Sequence, residues 1–171
     1  MMPWTALLGI FLTAASALAA PPELSGRVQA EHAASCAEYR FLFFRLYRAE
    51  LWTDAAVLPG SLFGLSLVYH RGFEREELVS LSISEMARMS SRAQASFAQA
   101  RAELEQAMRS VSQGDRFTAW RSGPDRVEFF HNGVATGTLT QDADLFLGIW
   151  LGDASRDLER RRMLLTGHCN D

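Results

Sequence analysis

The chain has 171 residues, a formal net charge of −3 and 48% hydrophobic residues, which suits a single globular domain. All 17 basic residues are arginine, and the mildly acidic balance argues against a nucleic-acid partner. No internal repeat, Pro-rich linker or long low-complexity segment divides the chain.

No charged residue precedes Glu23, and Leu7 to Ala20 is apolar and small. Ala17-Leu18-Ala19 fits a small-x-small cleavage site, which predicts a signal peptide over 1–19 and export of residues 20–171 to the periplasm or beyond. The start departs from that pattern in having no Lys or Arg. The alternative is an uncleaved N-terminal segment, the single route to a membrane that the sequence offers. Its apolar run is short of the ~20 residues a span needs. Removing 19 of the 171 residues leaves 152, enough to bury ~68–70% of the unfolded surface.

Glu23 to Ala37 reads weakly, with Arg27-Val28-Gln29-Ala30 as a short edge strand. Tyr39 to Trp52 reads as one central strand. Tyr39, Phe41, Phe43, Arg45 and Tyr47 share a face, and Arg40, Leu42, Phe44, Leu46 and Arg48 the other. Both are largely apolar, so both should be covered. After a turn at Leu58-Pro59-Gly60, Ser61 to His70 reads as a second strand of the same kind. The period then becomes helical. Glu74 to Glu77 places acids in a first turn, and Leu78, Val79, Ile83, Met86 and Met89 form a stripe. Ser90 and Ser91 interrupt it and can cap a second helix. There Ala93, Phe97, Ala100, Leu104, Ala107 and Val111 lie in one arc, and Gly114 ends it.

Arg116 to Trp120 and Arg126 to His131 read as strands joined by a turn at Ser122 to Asp125. Asn132-Gly133 takes the positive φ angles of a two-residue hairpin turn, and Val134 to Leu139 returns antiparallel. Gln141 to Asp144 places acids ahead of a buried helix, Leu145 to Leu151. A last helix runs from about Ser155 to Leu165. Grouped strands and helices of this order predict an α+β fold, an antiparallel sheet with helices packed on one face.

Several strings, in order, resemble the bacterial chalcone isomerase-like proteins. Leu46-Tyr47-Arg48-Ala49-Glu50-Leu51-Trp52 is similar to their "vYdaeLW" strand, and Leu67 to Arg71 to their "LvYhR". Ser82-Ile83-Ser84-Glu85-Met86, Gly114-Asp115-Arg116, Phe130-His131-Asn132-Gly133 with Gly137, Ile149-Trp150-Leu151-Gly152 and Leu164 to Gly167 complete the match over residues 36–167. The resemblance implies an open-faced β-sandwich, a curved antiparallel sheet with a helical layer on one face. It also implies a cleft between them where relatives bind flavonoids or fatty acids.

The plant enzyme of that superfamily cyclises a chalcone with an arginine and a threonine on strands and a tyrosine and an asparagine from the helical layer. These groups stabilise charge moving onto a carbonyl oxygen. Phe73 to Gln113 contains neither Tyr nor Asn, so no catalytic residues are carried over. His32, His70, His131 and His168 share no metal-ligand spacing. Asp142-Ala143-Asp144 suits helix capping better than a calcium loop. No nucleophile elbow or phosphate loop occurs, and the sequence implies no cofactor.

The remaining candidates are polar groups in apolar surroundings. Arg45, among Phe43, Phe44, Leu46 and Tyr47, can meet an acidic headgroup, or it can pair with a Glu or snorkel to the edge. Arg71, Tyr47, Tyr69 and Trp150 are further candidates for lining a ligand site, each with a structural alternative. The expected partner is an apolar or fatty-acid-like small molecule, and an isomerase with a rebuilt site is the alternative. Cys36 and Cys169, the two cysteines of the chain, are expected to form a disulfide if export holds.

Overall fold

The computed structural model of the protein describes residues 20–29, 35–54, 61–167 and 169. The predicted signal segment 1–19, the turn at Leu58-Pro59-Gly60, Ala30, His32 and His168 lie outside the described residues. Six strands form one antiparallel sheet in sequence order: β1 (Ser35–Phe41), β2 (Phe44–Trp52), β3 (Phe63–Tyr69), β4 (Arg116–Gly123), β5 (Arg126–His131) and β6 (Val134–Leu139). Helices α1 (Arg75–Ser90) and α2 (Ala98–Ala107) fill the β3–β4 connection, and α3 (Ala143–Leu151) and α4 (Leu158–Thr166) follow β6.

Alternation along the strands sends one apolar set to the helices. Ala49, Leu51, Leu65, Leu67, Tyr69, Phe117, Ala119, Val127 and Phe129 form the main core with Ile83, Met86, Leu104, Phe146 and Trp150. The other face also carries large apolar groups, Trp52, Trp120 and Phe130, and would be wet without a cover. Residues 20–29 supply it: a 3₁₀ turn (Pro22–Leu24) sets Leu24 and Val28 against these rings. Gly64 stands in register between Trp52 and Trp120, where a Cβ would lie 2.6 Å from a Leu24 methyl. The expected edge strand at 27–30 is thus a different element. Among the described residues there, only an isolated bridge joins Ser25 to Val28.

The largest correction concerns residues 39–52. Instead of one strand they belong to a hairpin, β1 and β2, turning at Leu42-Phe43, with Phe41 opposite Phe44. Phe41, Leu42, Phe43 and Phe44 are 65%, 74%, 96% and 60% exposed, so neither face there is covered. Ser91 closes α1 with φ of 58° and caps no second helix. α2 ends at Ala107, and the chain returns to pair Val111 with Phe73 well before Gly114. The Asn132-Gly133 hairpin takes φ of 49° and 84°, as its residues dictate. Asp142 and Asp144 cap nothing with their side chains. They tie layers together, Asp142 to Arg92 at 2.6 Å and Asp144 to Arg121 at 2.7 Å.

Across the back face, Cys36, Glu50, Ser66 and Thr118 fall in one register row. Ser66 and Thr118 share a hydrogen bond of 2.9 Å, and Thr118 donates to Glu23 at 2.6 Å. Glu50 is 1% exposed and lies 3.6 Å from Arg48 Nε and 3.7 Å from an Arg116 nitrogen. Burial raises its carboxyl above the usual range, and the two arginines only partly offset this. The row ends at a disulfide between Cys36 and Cys169, which lie 133 positions apart in sequence and have Cα atoms 4.9 Å apart.

Two outcomes follow from this face. Reduction, or Cys169→Ser, should lower unfolding free energy by about 2–5 kcal/mol, read as a lower urea midpoint. Because the folded state favours protonated Glu50, its contribution is complete below the ordinary carboxylate value and is lost as pH rises through the raised one. Glu50→Gln should therefore gain stability on the wild type as pH rises through that window, in urea melts at stepped pH.

Candidate ligand cavity

A cavity of about 440 Å³ opens between the hairpin end of the sheet and the helices. The sheet contributes Tyr39, Phe41, Leu46, Tyr47, Leu67, Tyr69 and Phe117. Helix α1 gives Leu78, Leu81, Ser82 and Glu85, α3 gives Phe146, Ile149 and Trp150, and residues 155–157 close one side. The lining is chiefly apolar because Tyr47 of β2 and Leu67 and Tyr69 of β3 share the helix-facing side of the sheet here, and Leu46 joins them near the hairpin end.

An aromatic chain builds the wall. Phe117 stacks on Phe129 at 5.4 Å, Phe129 meets Phe146 edge-on, and Phe146 meets Trp150. Trp150 Nε1 donates to Tyr47 Oη at 3.1 Å. Tyr47 in turn stacks on Tyr39 at 4.9 Å and tilts against Tyr69 at 5.8 Å. Three phenols from three adjacent strands thus share one patch of cavity wall.

Their hydroxyls are the chemistry of the site. Tyr39 Oη is buried with no hydrogen-bond partner. Tyr47 Oη accepts from Trp150 and keeps its own proton free to donate. Burial pushes the Tyr47 phenol up to about 12, and burial also raises Tyr39 and Tyr69. All three therefore remain neutral donors at ordinary pH. Ser82 is committed to the Leu78 carbonyl at 2.8 Å. Among the described residues of the lining, Arg156 is the one cation, and Glu85 holds it at 2.5 Å.

Of the residues singled out from sequence, Tyr47, Tyr69 and Trp150 come together in this lining, and Arg45 and Arg71 stand outside it. Arg45 is not buried. It bonds Glu38 through two nitrogens, at 2.9 and 3.1 Å. His70 Nε2 lies 3.1 Å from the same carboxylate. Burial alone would raise Glu38, but the Arg45 hydrogen bond and the neighbouring His70 and Arg45 hold it below the usual range. Arg71 is exposed, its guanidinium 5.4 Å from the centre of the Phe73 ring. Tyr39, Leu67 and Phe146 were not distinguishable in sequence from ordinary core residues.

No family model matches the chain, and no curated relative does. The structure is similar to the crystal structure of the Arabidopsis thaliana fatty-acid binding protein AtFAP1, with a TM-score of 0.60 and 9% identity over 78% of this chain and 86% of that one. The fold is the chalcone isomerase-like open-faced β-sandwich, an antiparallel sheet with helices on one face.

Tyr47→Phe should leave the buried Trp150 indole without its acceptor. The expected cost is about 1–3 kcal/mol of stability, measured by urea unfolding.

Proposed function

We propose that this domain is a non-catalytic binder of one apolar, fatty-acid-like molecule, acting after export to the periplasm. The observation that carries the reading is the apolar cavity with three neutral tyrosine hydroxyls in one patch of its wall. Its volume lies in the range of small-molecule sites. The unpartnered Tyr39 hydroxyl is a buried donor that a ligand oxygen would satisfy. A fatty-acid binding protein shares the fold, which supports the ligand class. The Cys36–Cys169 disulfide supports an oxidising compartment.

The alternative, an isomerase with a rebuilt site, needs a general base beside donors or a cation aimed at a developing oxyanion. Among the described lining residues the sole guanidinium is engaged by Glu85. The phenols are pushed away from ionisation and make poor bases. These points favour binding over turnover.

The same wall predicts headgroup preference. With Glu85 and Asp157 in the lining and no free cation among its described residues, a neutral hydroxyl or carbonyl end is received at least as well as a carboxylate. Delipidated protein titrated at pH 7 with hexadecanol and with hexadecanoate, read by native mass spectrometry, should hold one molecule of either, the alcohol no more weakly. Tyr39→Phe should weaken retention about three- to tenfold, and Leu78→Trp should block it by filling the cavity. Failure of both ligands to bind the wild type would overturn the reading.

A further inference from the structure

We infer that the β1–β2 hairpin tip is a membrane-docking element that seats the cavity mouth against an anionic lipid surface. The tip presents four consecutive apolar side chains, Phe41 to Phe44, each at least 60% exposed. So dense a run is unusual on a water-facing turn. The molecule contains its own control. Both the β1–β2 and β5–β6 hairpins close with two residues, but the second uses Asn132-Gly133 and the first Leu42-Phe43. Leu42 holds φ of 53°, a region costly for a bulky residue and cheap for Asn or Gly. Water offers nothing that offsets both the strain and the exposed rings, and an acyl layer offers burial for all four side chains.

The flanks define which surface. Arg40 and Arg45 bracket the four residues. Tyr69 pairs with Tyr47 and His70 N bonds Leu46 O, so Arg71 leaves the sheet beside Arg45. Around the tip Arg40, Arg45 and Arg71 stand against Glu38, while Glu85 and Asp157 of the cavity lining are each bonded to an arginine, Arg156 and Arg160, which leaves this corner a positive excess in a chain of net charge −3. Aromatic and aliphatic tips with Arg at headgroup depth match an anionic lipid interface. No helix among the described residues is long and apolar enough to span a bilayer, so the contact is superficial. It also departs from the expectation that only the N-terminal segment meets a membrane.

Position gives the tip its purpose. Phe41 belongs both to the exposed run and to the cavity lining, with Leu46 and the half-exposed Leu81 beside it. A tip sunk to the acyl boundary would open the mouth toward lipid, letting an apolar molecule pass without crossing water. Vesicle docking itself requires no cavity ligand, so it stands or falls separately from the binding function.

The test uses the full chain, with vesicles of phosphatidylcholine alone and with phosphatidylglycerol added. Leu42→Ser/Phe43→Ser should keep the wild-type melting temperature, since the tip packs against little, and should lower binding to the anionic vesicles about tenfold or more. Neutral vesicles or high salt should weaken wild-type binding. To separate the tip from the apolar N-terminal segment, Phe43→Trp is compared with wild type on vesicles carrying brominated acyl chains, where the added indole should be quenched. Equal binding by the double-serine variant, or an unquenched indole, overturns the proposal. So does a solution dimer that the double-serine variant dissolves, which would make the tip a contact between copies.

Discussion

The hydrogen bond from the Trp150 indole to the Tyr47 hydroxyl joins the two layers where they are furthest from close packing. Here they stand apart around a cavity, and the bond keeps α3 from collapsing onto β2. It also ends the aromatic run that begins at Phe117 and passes through Phe129 and Phe146. Rings are stiff, wide and few in rotamers, so they can prop a space open where leucines would close it. The cavity therefore follows from residue size and from one polar bond, with residues 155–157 closing one side.

The opposite face solves a different problem. An open-faced sheet with helices on one side leaves the other to water, yet this one carries two tryptophans and a buried glutamate. The ten residues from Ala20 to Gln29 cover part of it through Leu24 and Val28, and Glu23 joins the Ser66–Thr118 polar row. Arg27 sits over Trp120 and Phe130 and bonds Glu128 at 2.9 Å. A short segment thus acts as a second layer, and burial on this face holds the Glu50 carboxyl above its usual range despite its two arginines.

Much of this was legible in the sequence because local chemistry and tertiary packing agree. Asn132-Gly133 can hardly be other than a turn, and the stripe from Leu78 to Met86 marks a helix face. The grouping of strands and helices led to the right architecture. The failure at residues 39–52 has a specific cause. A turn built from Leu42-Phe43 carries none of the Gly, Asn or Pro signals by which turns are recognised, and its neighbours alternate as a buried strand would. One covered strand over 39–52 would place Arg45 in apolar surroundings; on the surface it takes its alternative, pairing with a Glu, Glu38. Tyr47, Tyr69 and Trp150 stood out as amphipathic rings. Tyr39 did not, because its significance depends on an empty partner position that only three-dimensional packing creates.

The disulfide has a practical side. Cys169 is pinned at Cys36, near the start of β1, whereas the hairpin lies at the end of that strand. Five residues of extended chain, about 17 Å, separate them. A fusion partner, affinity handle or sensor surface joined beyond Cys169 therefore leaves from the corner of the molecule remote from Phe43 and the cavity mouth. The carboxy-terminal side is the place from which this protein can be held while both remain free to work.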